Sequence, residues 1–179
     1  MSRIGKKAIT LPANVETRID ETNRVFVKGP KGEMSVQLAS EIEAVMENQE
    51  IKLKSSGSTR QSRAIHGLNR SLLANMIIGV TQGYERKLQI NGIGYKADLK
   101  NKKLAVTAGL SHIVEVDQPD GITFQLNNPQ LITISGIDKE LVGRIAAKIR
   151  SIRPAEPYNG KGIQYIDEKI KRKAGKSGK

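Results

Sequence analysis

Two stretches of this chain carry residue types and spacing that could meet a phosphate. The first, Gly92-Ile93-Gly94-Tyr95-Lys96-Ala97, fits the pattern G-x-G-x-x-A. In a dinucleotide fold those glycines let the backbone approach a pyrophosphate at a helix N-terminus. That chemistry needs a strand before the glycines and a helix after them. A strand signal, Lys87-Leu88-Gln89-Ile90, precedes them, but the residues after Tyr95 alternate and then turn. The expectation is therefore a glycine-kinked hairpin or bulge. The second stretch, Pro157-Tyr158-Asn159-Gly160-Lys161-Gly162-Ile163, sets one lysine between two residues without side chains. There an ammonium and nearby backbone N–H groups can approach a crowded anion. Tyr158 stands beside them, able to stack on a base or sugar.

Other chemistry is weakly supported. The chain has no Cys, so thiolate catalysis, Cys-ligated zinc and disulfides are excluded. His66 falls inside a helical pattern and His112 at a turn-to-strand junction. Neither has a second His or a carboxylate at metal-ligand spacing, and no base–nucleophile constellation can be written. Glu41, Glu43, Glu47 and Glu50 read as a solvated acidic edge. Gly29-Pro30-Lys31-Gly32 lacks the spacing and hydroxyl of a P-loop and reads as a hairpin turn. No catalysis, cofactor, metal or small-molecule substrate is expected.

The charge is placed rather than spread. The chain has 179 residues and a net charge of +12. Residues 1–10 are +3, residues 11–138 only +1, and residues 139–179 carry 12 basic and 4 acidic residues, +8. Such focusing points to a polyanion. A membrane surface would want apolar residues along one face of the basic segment, and the tail offers only Ile170. The longest apolar run, Met76 to Val80, is far short of the roughly 20 residues that span a bilayer. With no secretory pattern at Met1–Ile9, a soluble cytoplasmic protein is expected. DNA readers would need a helix-turn-helix, zinc module or zipper, and none is apparent.

The elements that would position these residues form an internal repeat. In the first half, Val25–Lys28 leads through Gly29–Gly32 into Met34–Leu38, then Ile42–Met46 and Ile51–Leu53. In the second, Leu104–Thr107 leads through Gly109 into Ile113–Val116, then Ile122–Phe124 and Ile132–Ile134. Turn signals separate the strands at Gly29–Gly32, Asn48, Asp120-Gly121 and Asn127-Asn128-Pro129. Each half closes with a helical pattern, Ile65, Leu68, Leu72, Met76 and then Leu141, Val142, Ile145, Ile149, Ile152. Ser58 or Thr59 caps the first helix and Asp138 the second. The fold expected is α+β, two similar small domains each with an antiparallel sheet packed on one main helix. Lys87–Ile90 reads as an extra strand of the second domain. The domains are placed at 1–82 and 83–153, followed by a basic extension at 154–179. Pro154 and Pro157 force an extended path out of the second helix. Ile163–Ile166 carries a brief strand signal.

These motifs resemble the large-ribosomal-subunit protein "L six" family of bacterial type, over essentially the whole chain. Ser2–Ile9 resembles the family's opening, with Ala8 where Pro is usual. Gly29–Gly32 matches its first hairpin and Asn91–Lys96 the start of its second domain. The most specific match is Pro157–Ile163, similar to Pro-Tyr-Lys-Gly-Lys-Gly-Ile, with Asn159 in place of Lys. Ala155 and Asp167 replace a usual Pro and Gly. The resemblance implies a large-subunit component that binds 23S-type rRNA near the sarcin–ricin region and stalk base. It further implies neighbouring large-subunit proteins and translational GTPases as partners.

The residues expected to bind RNA are Lys148, Arg150, Arg153, Tyr158, Gly160, Lys161, Gly162, Lys169, Lys171, Arg172 and Lys173. Arg3, Lys6 and Lys7 form a second contact, and Gly92, Tyr95 and Lys96 a third. Removing 154–179 is expected to abolish rRNA binding and leave the body folded. Two other classes stay open. An enzyme would need a cofactor at Gly92–Ala97. A protein-only scaffold would keep its partners through ribonuclease and high salt.

Overall fold

The computed structural model describes residues 4–47 and 49–175. Arg3, the Asn48 turn signal and Lys176 lie outside the described residues. The chain forms two compact units, Met1–Gly83 and Tyr84–Lys179.

The first unit contains β1 (Ile9–Thr10), β2 (Glu16–Ile19), β3 (Arg24–Gly29), β4 (Gly32–Gln37), β5 (Ile42–Glu47), β6 (Glu50–Ser55) and α1 (Arg60–Thr81). Its strands make two antiparallel sheets, β2-β3-β4 and β1-β6-β5. The Gly29–Gly32 motif is the expected hairpin, with Gly29 paired to Gly32 across Pro30-Lys31. Its tip rests on the end of α1, where Lys31 N–H donates to the Val80 carbonyl at 3.0 Å. A Cβ on Gly29 would sit 2.7 Å from that same oxygen.

The second unit contains β7 (Tyr84–Asn91), β8 (Lys96–Lys100), β9 (Lys103–Thr107), β10 (Val114–Asp117), β11 (Ile122–Asn128), β12 (Leu131–Gly136), α2 (Lys139–Ile152) and β13 (Gly162–Tyr165). Its sheets are β10-β9-β8 and β11-β12-β7-β13. Both units thus run strand, three-strand meander, hairpin, helix, and in both the opening strand pairs with the last strand of the hairpin. The repeat read from the sequence is the part of this topology that runs from β3 and from β9 to the helix; β1 and β2 lie outside that reading. Lys87–Ile90 is not extra, because β7 is the counterpart of the short β1. The true addition is β13, paired antiparallel to the free edge of β7 with Gly162 opposite Asn91 and Tyr165 opposite Leu88.

Each unit has its own core. Val25, Val27, Ile42, Ile51, Leu73 and Val80 anchor the first. Leu88, Ile90, Leu104, Ile132, Ile134, Ile149 and Ile163 anchor the second. The caps hold as read: the Thr59 side chain accepts from Ser62 N–H, and that of Asp138 from Glu140 N–H. The apolar stripe of α2 faces its core through Val142, Ala146 and Ile149.

The stripe expected for α1 is corrected. Leu68 and Leu72 are 57% and 40% exposed, and the buried face runs Ser62, His66, Asn69, Leu73, Met76, Ile77, Val80. Its first three turns bury polar side chains because each finds a partner. Ser62 Oγ donates to Glu41 Oε2 at 2.6 Å. His66 Nε2 lies 2.9 Å from the Leu53 carbonyl, and Asn69 Nδ2 donates to the Ile65 carbonyl. A satisfied polar group can occupy a core position that a leucine count would leave out. Among the described residues no helix is long and apolar enough to cross a membrane.

Candidate nucleic-acid interface

The glycines of Gly92–Ala97 lead into a strand, β8, and not a helix. The pyrophosphate geometry is therefore absent at this motif. Gly92 (φ +143°) and Gly109 (φ +70°) do another job: a Cβ on either would strike the Tyr95 ring. The ring is wedged between two bare backbones and packs against the second core. Lys96 is exposed and pairs with Asp98 at 3.2 Å. The turn is held at Ala97, whose N–H donates to the Pro129 carbonyl at 2.7 Å.

The C-terminal segment is built more closely than an extension would be. After α2 the chain runs extended, and Pro154 pairs in parallel with Ile163. Ile163 N–H donates to the Arg153 carbonyl at 2.7 Å, so β13 is flanked by β7 on one side and by Arg153-Pro154 on the other. Between them residues 155–161 bulge out as a loop. Two bonds close it, Glu156 N–H to the Lys161 carbonyl (3.0 Å) and Gly160 N–H to the Glu156 carbonyl (3.1 Å). The Gly160 N–H is thereby engaged within the protein. Gly160 adopts φ +75° and Gly162 φ +134°. A Cβ on Gly162 would lie 2.6–2.7 Å from the backbone of Arg153, Pro154 and Ala155. Gly162 serves this close crossing, and it is buried. The glycine pair shapes a tight turn that presents Lys161, rather than baring N–H groups to an anion.

The basic tail folds back on this loop. Lys173 N–H donates to the Pro157 carbonyl at 3.0 Å, and Arg172 lies over Gly160. Lys148, Arg153, Lys161, Lys169, Lys171, Arg172 and Lys173 are all exposed, and none has a carboxylate partner among the described residues. Tyr158 beside them is 54% exposed.

Arg150 differs from its neighbours. Its Nε donates to Glu168 Oε2 at 2.8 Å and its Nη2 to Oε1, so its charge is matched inside the protein. Hydrogen bonding from Arg150 holds the Glu168 carboxyl below its usual value. Glu168, Tyr165 and Arg86 escaped the sequence reading. Acids in a basic tail look like dilution, and only the return of β13 to the sheet brings Glu168 to α2.

In the first unit, Lys6 and Lys7 are exposed on a turn closed by Lys7 N–H to the Ile4 carbonyl. Arg70 Nε ties this turn down by donating to the Lys7 carbonyl at 3.2 Å. His66 is enclosed and Gly5 abuts its ring, while His112 is exposed. Of the acidic edge, Glu47 pairs with Lys52 at 2.9 Å. Glu41 and Glu43 border an open groove of about 610 Å³ with Asp20 and Lys54. Among the described residues no three His, Cys, Asp or Glu are grouped to hold a metal.

These features define a class, a duplicated α+β protein bearing an ordered cationic loop on its second repeat. The family model for Ribosomal protein L6 matches residues 11–83 and 91–166, and the chain belongs to that family. The large ribosomal subunit protein uL6 of Nostoc sp. is 49% identical over all of this chain and 98% of its own. That of Roseiflexus sp. is 52% identical, covering 100% and 99%, and that of Prochlorococcus marinus 54%, covering the same shares. The chain is a ribosomal protein and not an enzyme.

Proposed function

We propose that this protein is a structural constituent of the large ribosomal subunit, residing on cytoplasmic ribosomes and binding 23S-type rRNA through its C-terminal loop and tail. The relatives' name, large ribosomal subunit protein uL6, supports the assignment to that subunit. The observation that carries the binding mode is the loop 155–161 with the tail folded onto it, which gathers exposed cations without carboxylate partners among the described residues. Phosphates are neutralised by Lys and Arg with release of counterions. Duplex rRNA is gripped by shape and backbone, with Tyr158 free to stack. The two units, β13 included, act as the mount, and the loop 155–161 with the residues after β13 as the grip. Lys6 and Lys7 add a weaker contact, and Gly92–Lys96 a third that is mainly a scaffold for its neighbours. By resemblance, the site lies near the sarcin–ricin region and stalk base, close to the translational GTPases, among other large-subunit proteins.

The test is sedimentation. The protein should travel with large subunits at low salt and leave them at high salt. Crosslinks to rRNA should map to Lys161 and Lys169–Lys173. A protein that stays with other proteins after ribonuclease and high salt would be a protein-only scaffold instead.

A further inference from the structure

The cationic loop meets its tail through one backbone bond, Lys173 N–H to the Pro157 carbonyl, and through Arg172 over Gly160. After β13 the chain turns at Ile166-Asp167 and must be aimed back at the loop it came from. One acidic residue sets that direction. Glu168 N–H donates to the Tyr165 carbonyl at 3.0 Å, closing the turn. Its Oε2 accepts both Arg150 Nε at 2.8 Å and Tyr165 N–H at 3.2 Å, while Oε1 accepts Arg150 Nη2. Arg150 projects from the last turn of α2, next to the fully buried Ile149. Two guanidiniums approach the Tyr165 ring, Arg150 at 5.7 Å and Arg86 at 5.9 Å from its centroid. This pair is only a quarter to a third exposed, so it is screened less than a surface pair.

We propose that Glu168 is a positioning residue for RNA binding: by clamping Arg150 and Tyr165 it delivers Lys169–Lys173 to the side of Lys161 as one preformed cationic surface. The inference rests on the proposed RNA grip of the C-terminal loop and tail. It reverses what net charge suggests. Removing an acid from a +12 protein should tighten its hold on a polyanion, whereas here it loosens it. An undocked tail keeps its charges but must be ordered at the moment of binding.

The test uses the full chain and a 23S-type rRNA transcript, with affinity measured across a salt series. Glu168→Gln adds one unit of positive charge and cuts the clamp. Arg150→Lys keeps the charge and loses the two-pronged bond. Glu140→Gln adds the same charge at an exposed site on the first turn of α2, outside the clamp. We expect Glu168→Gln and Arg150→Lys each to weaken binding about five- to tenfold through lost preorganisation. Both should flatten the salt dependence, while the second core still melts cooperatively. Glu140→Gln should bind as wild type or slightly tighter, and Glu168→Asp should recover part of the loss. If Glu168→Gln binds as tightly as Glu140→Gln while Lys161→Ala still weakens binding, the clamp is overturned and the RNA reading stands. If Lys161→Ala and removal of 169–179 are both without effect, the RNA reading itself falls. Should Glu168→Gln fail to fold, Arg150→Lys decides alone.

Discussion

At the residue scale, the loop separates charge from shape. Lys161 is exposed and carries the charge, while Gly160 and Gly162 carry the shape. Lys161→Ala should therefore leave the fold intact and cost about 1–2 kcal/mol of rRNA affinity, the scale of one charge-assisted hydrogen bond. Filter binding beside a thermal melt would check both halves. Gly162→Ala should do the reverse. Its φ of +134° and the backbone 2.6–2.7 Å from a Cβ leave no room for a methyl. A loss of about 2–4 kcal/mol in unfolding free energy is expected from strain and clash, measured by denaturant titration. The clamp adds a pH dependence. Arg150 depresses the carboxyl of Glu168 in the folded state. A depressed carboxyl stabilises the fold above its unfolded value, about 4.3, and that contribution is lost as pH falls through the lower folded value. Wild type should thus lose stability across this acid range more steeply than Glu168→Gln, as melts between neutral and acid pH would show.

At the scale of elements, β13 decides how much of the C-terminus is structural. Ile163 is fully buried and its strand completes the sheet edge beside β7. The expectation that the body stands without residues 154–179 is therefore corrected: that cut removes core. Ending the chain at 168 should keep the fold and lose the tail's share of rRNA binding. Ending it at 161 should destabilise the second unit by at least the 2–5 kcal/mol of a large buried aliphatic deletion. Circular dichroism melts of the two truncations distinguish these outcomes. The sequence showed the strands from β3 onward, the described turns, both caps and the repeat, because period-two alternation and Gly or Asp at turns are local signals, but not β1 or β2. It misread the register of α1, where Ser62, His66 and Asn69 satisfy their polar groups in the core while Leu68 and Leu72 point outward. It also singled out Lys161 and the tail cations, which the fold leaves exposed, but not Glu168, Tyr165 and Arg86. Those meet only through a strand returning to the far edge of its own sheet, and no spacing along the chain encodes that meeting.

At the scale of the whole molecule, the distribution of charge makes a claim that bulk charge cannot. Most of the chain, residues 11–138, is nearly neutral, and several of its cations are already engaged. Lys52 pairs with Glu47, Lys87 with Glu85, Lys96 with Asp98, and Lys103 with Asp117. A molecule that bound RNA through its whole surface would release counterions in proportion to its 30 basic residues. One that binds through a single loop and tail meets far fewer phosphates. If it meets about six, the slope of log K against log salt should lie near −4 to −5. Each cation removed from the grip should then flatten that slope by roughly 0.7–0.9. Replacing Lys169, Lys171, Arg172 and Lys173 together with Ala should take roughly 3 from the slope, and replacing Lys6 and Lys7 should take at most about 1–2. Substituting Lys52, Lys87 and Lys103, whose charges are matched by carboxylates, should leave it unchanged. Equal losses from both sets would mean that the molecule binds by diffuse charge, and that the ordered loop has no special part in holding the RNA.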